Sequence, residues 1–206
     1  MDNQASTVSD SDLVRRIVAG EYHLYEVVVR RYNQRLYRVA RSIVWNREEA
    51  EDVVQDTYAR AFERFSQFEG RALLSTWLTR IAVNEARKRI RERTRHKAID
   101  VTLSRVPALT RAPPTPENNR LAAETRTILE SAIDQLPEAH RSVFVMRSLE
   151  NMSIAATAQC LDLSEEVVKV RTFRACRMLR RTLQEKFHVG SIDAFRFLNE
   201  DVIAER

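Results

Sequence analysis

The sequence predicts an all-α protein with two helical blocks joined by an extended segment. Three observations lead there. Apolar residues recur at steps of three and four over long stretches, and strand-like alternation never persists. Four of the five prolines crowd into residues 107–116, between the blocks. With only 3 glycines, 44% hydrophobic and 31% charged residues, the chain can afford helices that bury one face and solvate the other.

Residues 1–10 are polar and acidic and are expected to be unstructured. The first block spans 11–95. Its segment "VVVRRYNQRLYRVARSIV" sets Val29, Tyr32, Leu36, Val39 and Ile43 on one helical face. The segment "REEAEDVVQDTYARAFERF" does the same with Ala50, Val54, Thr57, Ala61 and Phe65. A third, "LLSTWLTRIAVNEARKRIRER", carries Leu74, Trp77, Leu78 and Ile81 inward, with the less apolar Glu85 at the same spacing. Trp77 belongs to that stripe, so burial is expected of it.

Periodicity fails from Thr94 to about Asn119, and 96–119 is expected to be a linker, extending about 3 Å per residue where polyproline-like. A second block, 120–187, follows. Its "QLPEAHRSVFVMRSL" places proline near a helix start, where the missing amide hydrogen costs nothing. A short helix, about Ser153 to Leu161, then breaks at Asp162–Ser164. Asp162 stands where a glycine is usual, so it has to adopt a left-handed conformation. Ser164 caps the next helix, and Glu165 and Glu166 favour its N-terminal dipole. Residues 188–206 form an extension in which Ile192, Phe195 and Leu198 share a face.

Charge and motif content narrow the function. A formal net charge of +5 and a pI near 9.5 suit a polyanionic partner. No apolar run approaches the roughly 20 residues that cross a bilayer, so no membrane insertion is expected. The N-terminus lacks the basic-then-apolar order of a secretory signal, and the cytoplasm is the expected compartment. Cys160 and Cys176 are too few for a zinc site and are expected to be buried small residues. His23, His96, His140 and His188 have no ligand spacing, and no glycine-rich phosphate loop is present. Neither catalysis nor a metal or other cofactor is expected.

The most informative stretch is "SEEVVKVRTFRACRMLRR". One arc of this helix gathers Val168, Thr172, Ala175, Met178 and Leu179 and should face a core. The other gathers Lys169, Arg174, Arg177, Arg180 and Arg181, with Val170 and Phe173 among them. Two short helices with a tight turn and a cationic second helix form a helix-turn-helix pattern, and such a helix fits the DNA major groove. Arginine and lysine can hold phosphates or guanine edges, while Val170 and Phe173 can press on thymine methyls or sugars.

With these residues in place, the chain from Asp12 to Leu183 resembles bacterial sigma factors of the extracytoplasmic-function (ECF) group of the sigma-70 family. The resemblance is carried by "AEDVVQDTYARAF", "FEGRALLSTWLTRIAVNEARKRIR" and "LPEAHRSVFVMRSLENMSIAATAQCLDLSEEVVKVRTFRACRMLR", in that order. It implies a promoter-specificity subunit that binds core RNA polymerase and promoter DNA. By motif position, Asp52, Gln55, Asp56, Tyr58 and Phe62 would dock on the clamp helices of the largest subunit. Phe68, Glu69, Gly70, Arg71 and Asn84 would capture an unstacked base of the minus-ten element, a task that needs an amide edge and a close-approaching backbone. Arg87, Lys88 and Arg91, in "ARKRIRERTRHK", would grip phosphates. Lys169, Val170, Arg171, Phe173 and Arg174 would read the minus-thirty-five element. The family usually has a small polar residue at 170 and an arginine at 176, where this chain has Val170 and Cys176. The resemblance also admits an anti-sigma partner and implies a free monomer. The alternative is a stand-alone helix-turn-helix regulator, which would dimerise on a palindromic operator.

Overall fold

The computed structural model describes residues 8–99 and 120–187. Eight α-helices run in chain order: α1 Asp10–Val18, α2 Tyr25–Val44, α3 Arg47–Glu63, α4 Leu74–Ile99, α5 Arg120–Asp134, α6 Glu138–Phe144, α7 Ile154–Leu161 and α8 Glu165–Phe187. No strand occurs among the described residues. The N-terminal extension before Val8, residues 100–119 and the stretch after Phe187 lie outside them, including the proposed face of Ile192, Phe195 and Leu198.

Local chemistry sets the boundaries. Ser9, Asn46 and Ser153 cap α1, α3 and α7, each side chain accepting a backbone N–H three residues on. Helices α2 and α7 end on Trp45 and Asp162, both left-handed, with φ 58° and 54°. Asp162 thus takes the conformation expected of it without glycine. Pro137 is the N-cap of α6, and its carbonyl accepts from His140 and Arg141. Helix α4 outruns the expected boundary at 95 and reaches Ile99. Nothing in "RHKAI" breaks a helix, and the first proline comes only at 107.

Both blocks bury most of the expected faces, although Val29, Trp77, Ile81 and Met178 are only half-buried and Val28 takes the inward place beside Val29. Tyr32, Leu36, Val39, Ile43, Ala50, Val54, Thr57, Ala61, Phe65, Leu74 and Leu78 are all buried where α2, α3 and α4 pack together. In the second block Val168, Thr172, Ala175 and Leu179 of α8 are buried, the last two in a small core with Phe144, Cys176 and Leu183. Both cysteines are buried and free.

The sequence alone did not suggest that the blocks would touch, but they do. Helix α6 lies against α2, and α7 against α4. Val143, Met146, Met152, Cys160 and Leu161 of the second block join the apolar cluster of the first. Polar bonds reinforce the seam. Arg141 is buried; its Nε donates to the Ser42 carbonyl at 2.7 Å, and the Trp45 ring covers it at 5.1 Å. Burial holds the Arg141 pKa below the usual guanidinium value. Arg41 pairs with Asp134 at 2.9 Å.

Candidate nucleic-acid interface

Helix α3 presents one charged face and ends in an aromatic patch. Asp52, Gln55 and Asp56 are exposed between the buried pairs Val53–Val54 and Thr57–Tyr58, as a period of 3.6 requires. Arg89 of α4 reaches both carboxylates, at 2.9 Å from Asp52 and 3.8 Å from Asp56. Further ion pairs join the same two helices: Arg93 with Glu49 at 3.1 Å and Arg60 with Glu85 at 2.8 Å. The pairing with Arg60 explains how Glu85 tolerates the inward position its spacing assigned.

Phe62 is 45% exposed and meets Tyr22 and Tyr25 edge-on, at centroid distances of 5.7 and 5.1 Å. Tyr22 itself is 62% exposed. Periodicity missed it, because it sits in a short 3-10 turn, Tyr22–Leu24, outside any amphipathic helix. Tyr58 differs from the other four assigned residues. It is buried, its hydroxyl donates to the Val29 carbonyl at 3.1 Å, and its own carbonyl accepts from the Tyr25 hydroxyl at 2.7 Å. It shapes the face from beneath and offers little surface to a partner.

The loop before α4 holds the second group. Glu69, Gly70 and Arg71 are exposed, and Arg71 pairs with Glu69 at 2.5 Å. Gly70 has φ 72° with open space where a Cβ would lie, so its dihedral, not crowding, favours glycine. Phe68 is half-buried against Trp77, 5.3 Å between centroids, and Trp77 also packs on Phe65. Trp77 is therefore a floor for the loop rather than a free stacking platform. Leu73, 72% exposed at the end of the loop, had no signal in the sequence.

Asn84, Lys88 and Arg91 are all exposed at steps of four and three, hence on one face of α4. Arg87 is turned away from them. Its Nη2 donates to the Leu161 carbonyl of α7 at 2.6 Å.

The third group lies on α8. Lys169, Val170, Phe173 and Arg174 are exposed, with Val170 47% and Phe173 43% accessible. Val167 extends the apolar stripe one turn back. Arg171 is half-buried and faces a cavity of about 100 Å³ that it shares with Arg87, Glu138, Ile43 and Leu161. His140 of α6 lies within the field of Arg171 and Arg174. Burial first, and then these two cations, hold its pKa below the usual imidazole value. Its Nδ1 is buried without a hydrogen-bond partner among the described residues.

Fold and surfaces define a two-domain helical DNA-binding protein, with a helix-turn-helix in the second domain and an exposed acidic face in the first. Comparison with known proteins makes the class specific. Sigma-70 region 2 matches residues 28–96, and sigma-70 region 4 matches residues 126–179. The chain is 30% identical over 186 residues to the ECF RNA polymerase sigma-E factor of Haemophilus influenzae, covering 87% of this chain and 98% of that one. It is 32% identical over 176 residues to the ECF sigma factor SigM of Mycobacterium tuberculosis, covering 85% of each. Among solved structures, sigma factor RpoE of Bartonella quintana, in complex with the anti-sigma factor NepR, aligns with a TM-score of 0.66. That alignment has 22% identity and covers 79% of this chain and 98% of the other. CnrH, bound to the cytosolic domain of CnrY, aligns at 0.58 with 24% identity, covering 84% of this chain and 96% of the other. The chain belongs to the ECF sigma factors of the sigma-70 family. It directs RNA polymerase to promoters, and the stand-alone regulator is not favoured, because both sigma regions are present in order. No helix among the described residues is long and apolar enough to cross a membrane.

Proposed function

We propose that three surfaces divide the work of initiation. The α3 face of Asp52, Gln55, Asp56 and Phe62 docks on the clamp helices of core polymerase, with Tyr58 shaping it from within. The 68–73 loop and Asn84 capture an unstacked minus-ten base, while Lys88 and Arg91 hold nearby phosphates. The α8 face of Lys169, Val170, Phe173 and Arg174 enters the major groove at the minus-thirty-five element, with Arg171 at its edge. The chain contributes no catalysis, needs no cofactor and acts in the cytoplasm as one copy per polymerase. An anti-sigma protein is a natural partner, since a sigma factor of the same fold was solved with one bound.

One observation carries this reading. Exposed apolar side chains, Val167, Val170 and Phe173, interleave with Lys169 and Arg174 on the second helix of a helix-turn-helix. Such a surface can supply both phosphate contacts and apolar contacts to base edges. The experiment is transcription by sigma-free core polymerase on fragments of the protein's own genome, with start sites mapped. Start sites sharing two upstream elements support the proposal, and failure to initiate on any fragment would refute it.

A further inference from the structure

The outer face of α8 continues past the residues assigned to DNA. At about 100° per residue, Arg177, Arg181 and Gln184 extend the face of Val170, Phe173 and Arg174 toward the C-terminal end. All three are exposed. Together with Met178 and Arg180 they line an open groove of about 400 Å³ that spans two helical turns. Half-buried Met178 gives the groove its apolar part, and the arginines give it charge. Arg181 already holds one carboxylate, that of Glu185, at 2.7 Å. A surface of this kind suits a ligand that is both acidic and apolar.

The chain carries such a ligand beyond the end of the same helix. Residues 188–206 hold Asp193, Glu200, Asp201 and Glu205 against only Arg196 and Arg206, in a protein whose net charge is +5. Ile192, Phe195 and Leu198 recur at steps of three, and Val202 follows at a step of four, so one helical face gathers them. Gly190, shortly after Phe187, is the residue type at which a helix ends and a chain turns. Running back along α8 at about 1.5 Å per residue, residues 191–206 cover roughly 24 Å. Phe173 lies roughly 21 Å before the end of α8 on the same rise. In that register Phe195 and Leu198 come level with the groove. Glu200 and Asp201 come level with Arg177, and Glu205 comes level with Arg174, within side-chain reach of Lys169.

Resting on the DNA-reading role proposed for α8, we propose that residues 188–206 fold back on this helix as a tethered acidic competitor for its outer face. Phe195 and Leu198 seat against Met178, while Glu200, Asp201 and Glu205 engage Arg177, Arg174 and Lys169. A short tether sets an effective concentration on the order of millimolar. Contacts too weak to hold a free peptide therefore still cover the face much of the time. A competitor lowers the affinity for every duplex by one factor. Cognate sites bound well above saturation stay filled, while weak, sequence-independent phosphate binding is lost.

Lys169 makes the contact directly readable, because a carbodiimide joins an amine to a carboxylate only where the two touch. Full-length protein, mixed in equal parts unlabelled and isotopically labelled, is treated at low salt, digested and analysed by mass spectrometry. Lys169 should be joined to Glu200, Asp201 or Glu205 within one chain. Lys169 joined instead between labelled and unlabelled chains would place a second copy on this face and overturn the proposal. Phe195→Ser combined with Leu198→Ser keeps the net charge, so it separates docking from general electrostatics. This double variant should lose the crosslink at least about fivefold. By fluorescence anisotropy it should also bind a random-sequence duplex at least about fivefold more tightly than wild type. A wild-type crosslink no stronger than in urea would overturn the docking. A crosslink lost in the variant without any gain in duplex affinity would overturn the competition. If neither chain bound any duplex, the DNA-reading role of α8 would itself fall, whether or not the crosslink had formed.

Discussion

Arg174 and Asp52 sit on different domains, and single substitutions there should separate DNA reading from polymerase docking. Arg174 is exposed on α8, so Arg174→Ala should leave the fold intact. Losing one base or phosphate contact costs about 1–3 kcal/mol, so transcription from the cognate promoter should fall between about fivefold and a hundredfold. Core affinity, measured by pull-down, should stay unchanged; its loss would mean that this face touches polymerase. Asp52→Arg removes the pair with Arg89 and sets two guanidinium groups against each other. Exposed pairs contribute at most about 1 kcal/mol, so helical content should hold while core association disappears. Retained wild-type affinity would place the docking surface elsewhere. His140 predicts a dependence on pH. Its folded pKa is lowered, so the unfolded chain binds the proton more readily, and stability rises with pH through that window. The contribution is present above about 6.5, the ordinary imidazole value, and fades as pH falls below it. Urea midpoints at pH 5.5 and 7.5 should differ less in His140→Gln than in wild type. An equal difference would mean that other groups govern the acid limb.

At the scale of elements, the helix-turn-helix depends on one left-handed residue. Asp162 ends α7 at φ 54°, and its N–H bonds the Ala158 carbonyl. Asp162→Gly should raise stability slightly, whereas Asp162→Val should cost about 1–2 kcal/mol by forcing a β-branched residue into that region. Thermal melts of the full chain check both signs, and a stabilising valine would show that the turn rearranges. The broad helical stripes of α2, α3 and α8 were legible in the sequence because burial of one face imposes a period that survives variation in residue type. The end of α4 was less legible, since a run such as "RHKAI" has no capping residue or breaker to mark where a helix stops. Arg89 lies in a cationic run, yet it pairs with Asp52 and Asp56; a run of like charges does not reveal which members face a neighbouring helix. Tyr22 and Leu73 leave no mark in the sequence for a related reason, as short turns carry no periodic signature.

For the whole molecule, the shared apolar cluster couples the domains. Because Met146, Met152 and Leu161 are buried with residues of α1–α4, calorimetry of wild type should show one unfolding transition. Glu150→Gln should split it in two. Two resolved transitions in wild type would mean that the seam contributes little. The sequence by itself determined the all-α class, the inward faces, the helix-turn-helix and its cationic surface, because each follows from spacing within one segment. Only the tertiary structure decided that Glu150 meets Arg35 and Arg38, that Arg141 reaches Ser42, and that Arg87 turns to the Leu161 carbonyl. Those pairs join residues 74 to 115 positions apart. Local periodicity is blind to such distances, and only packing brings the charges together.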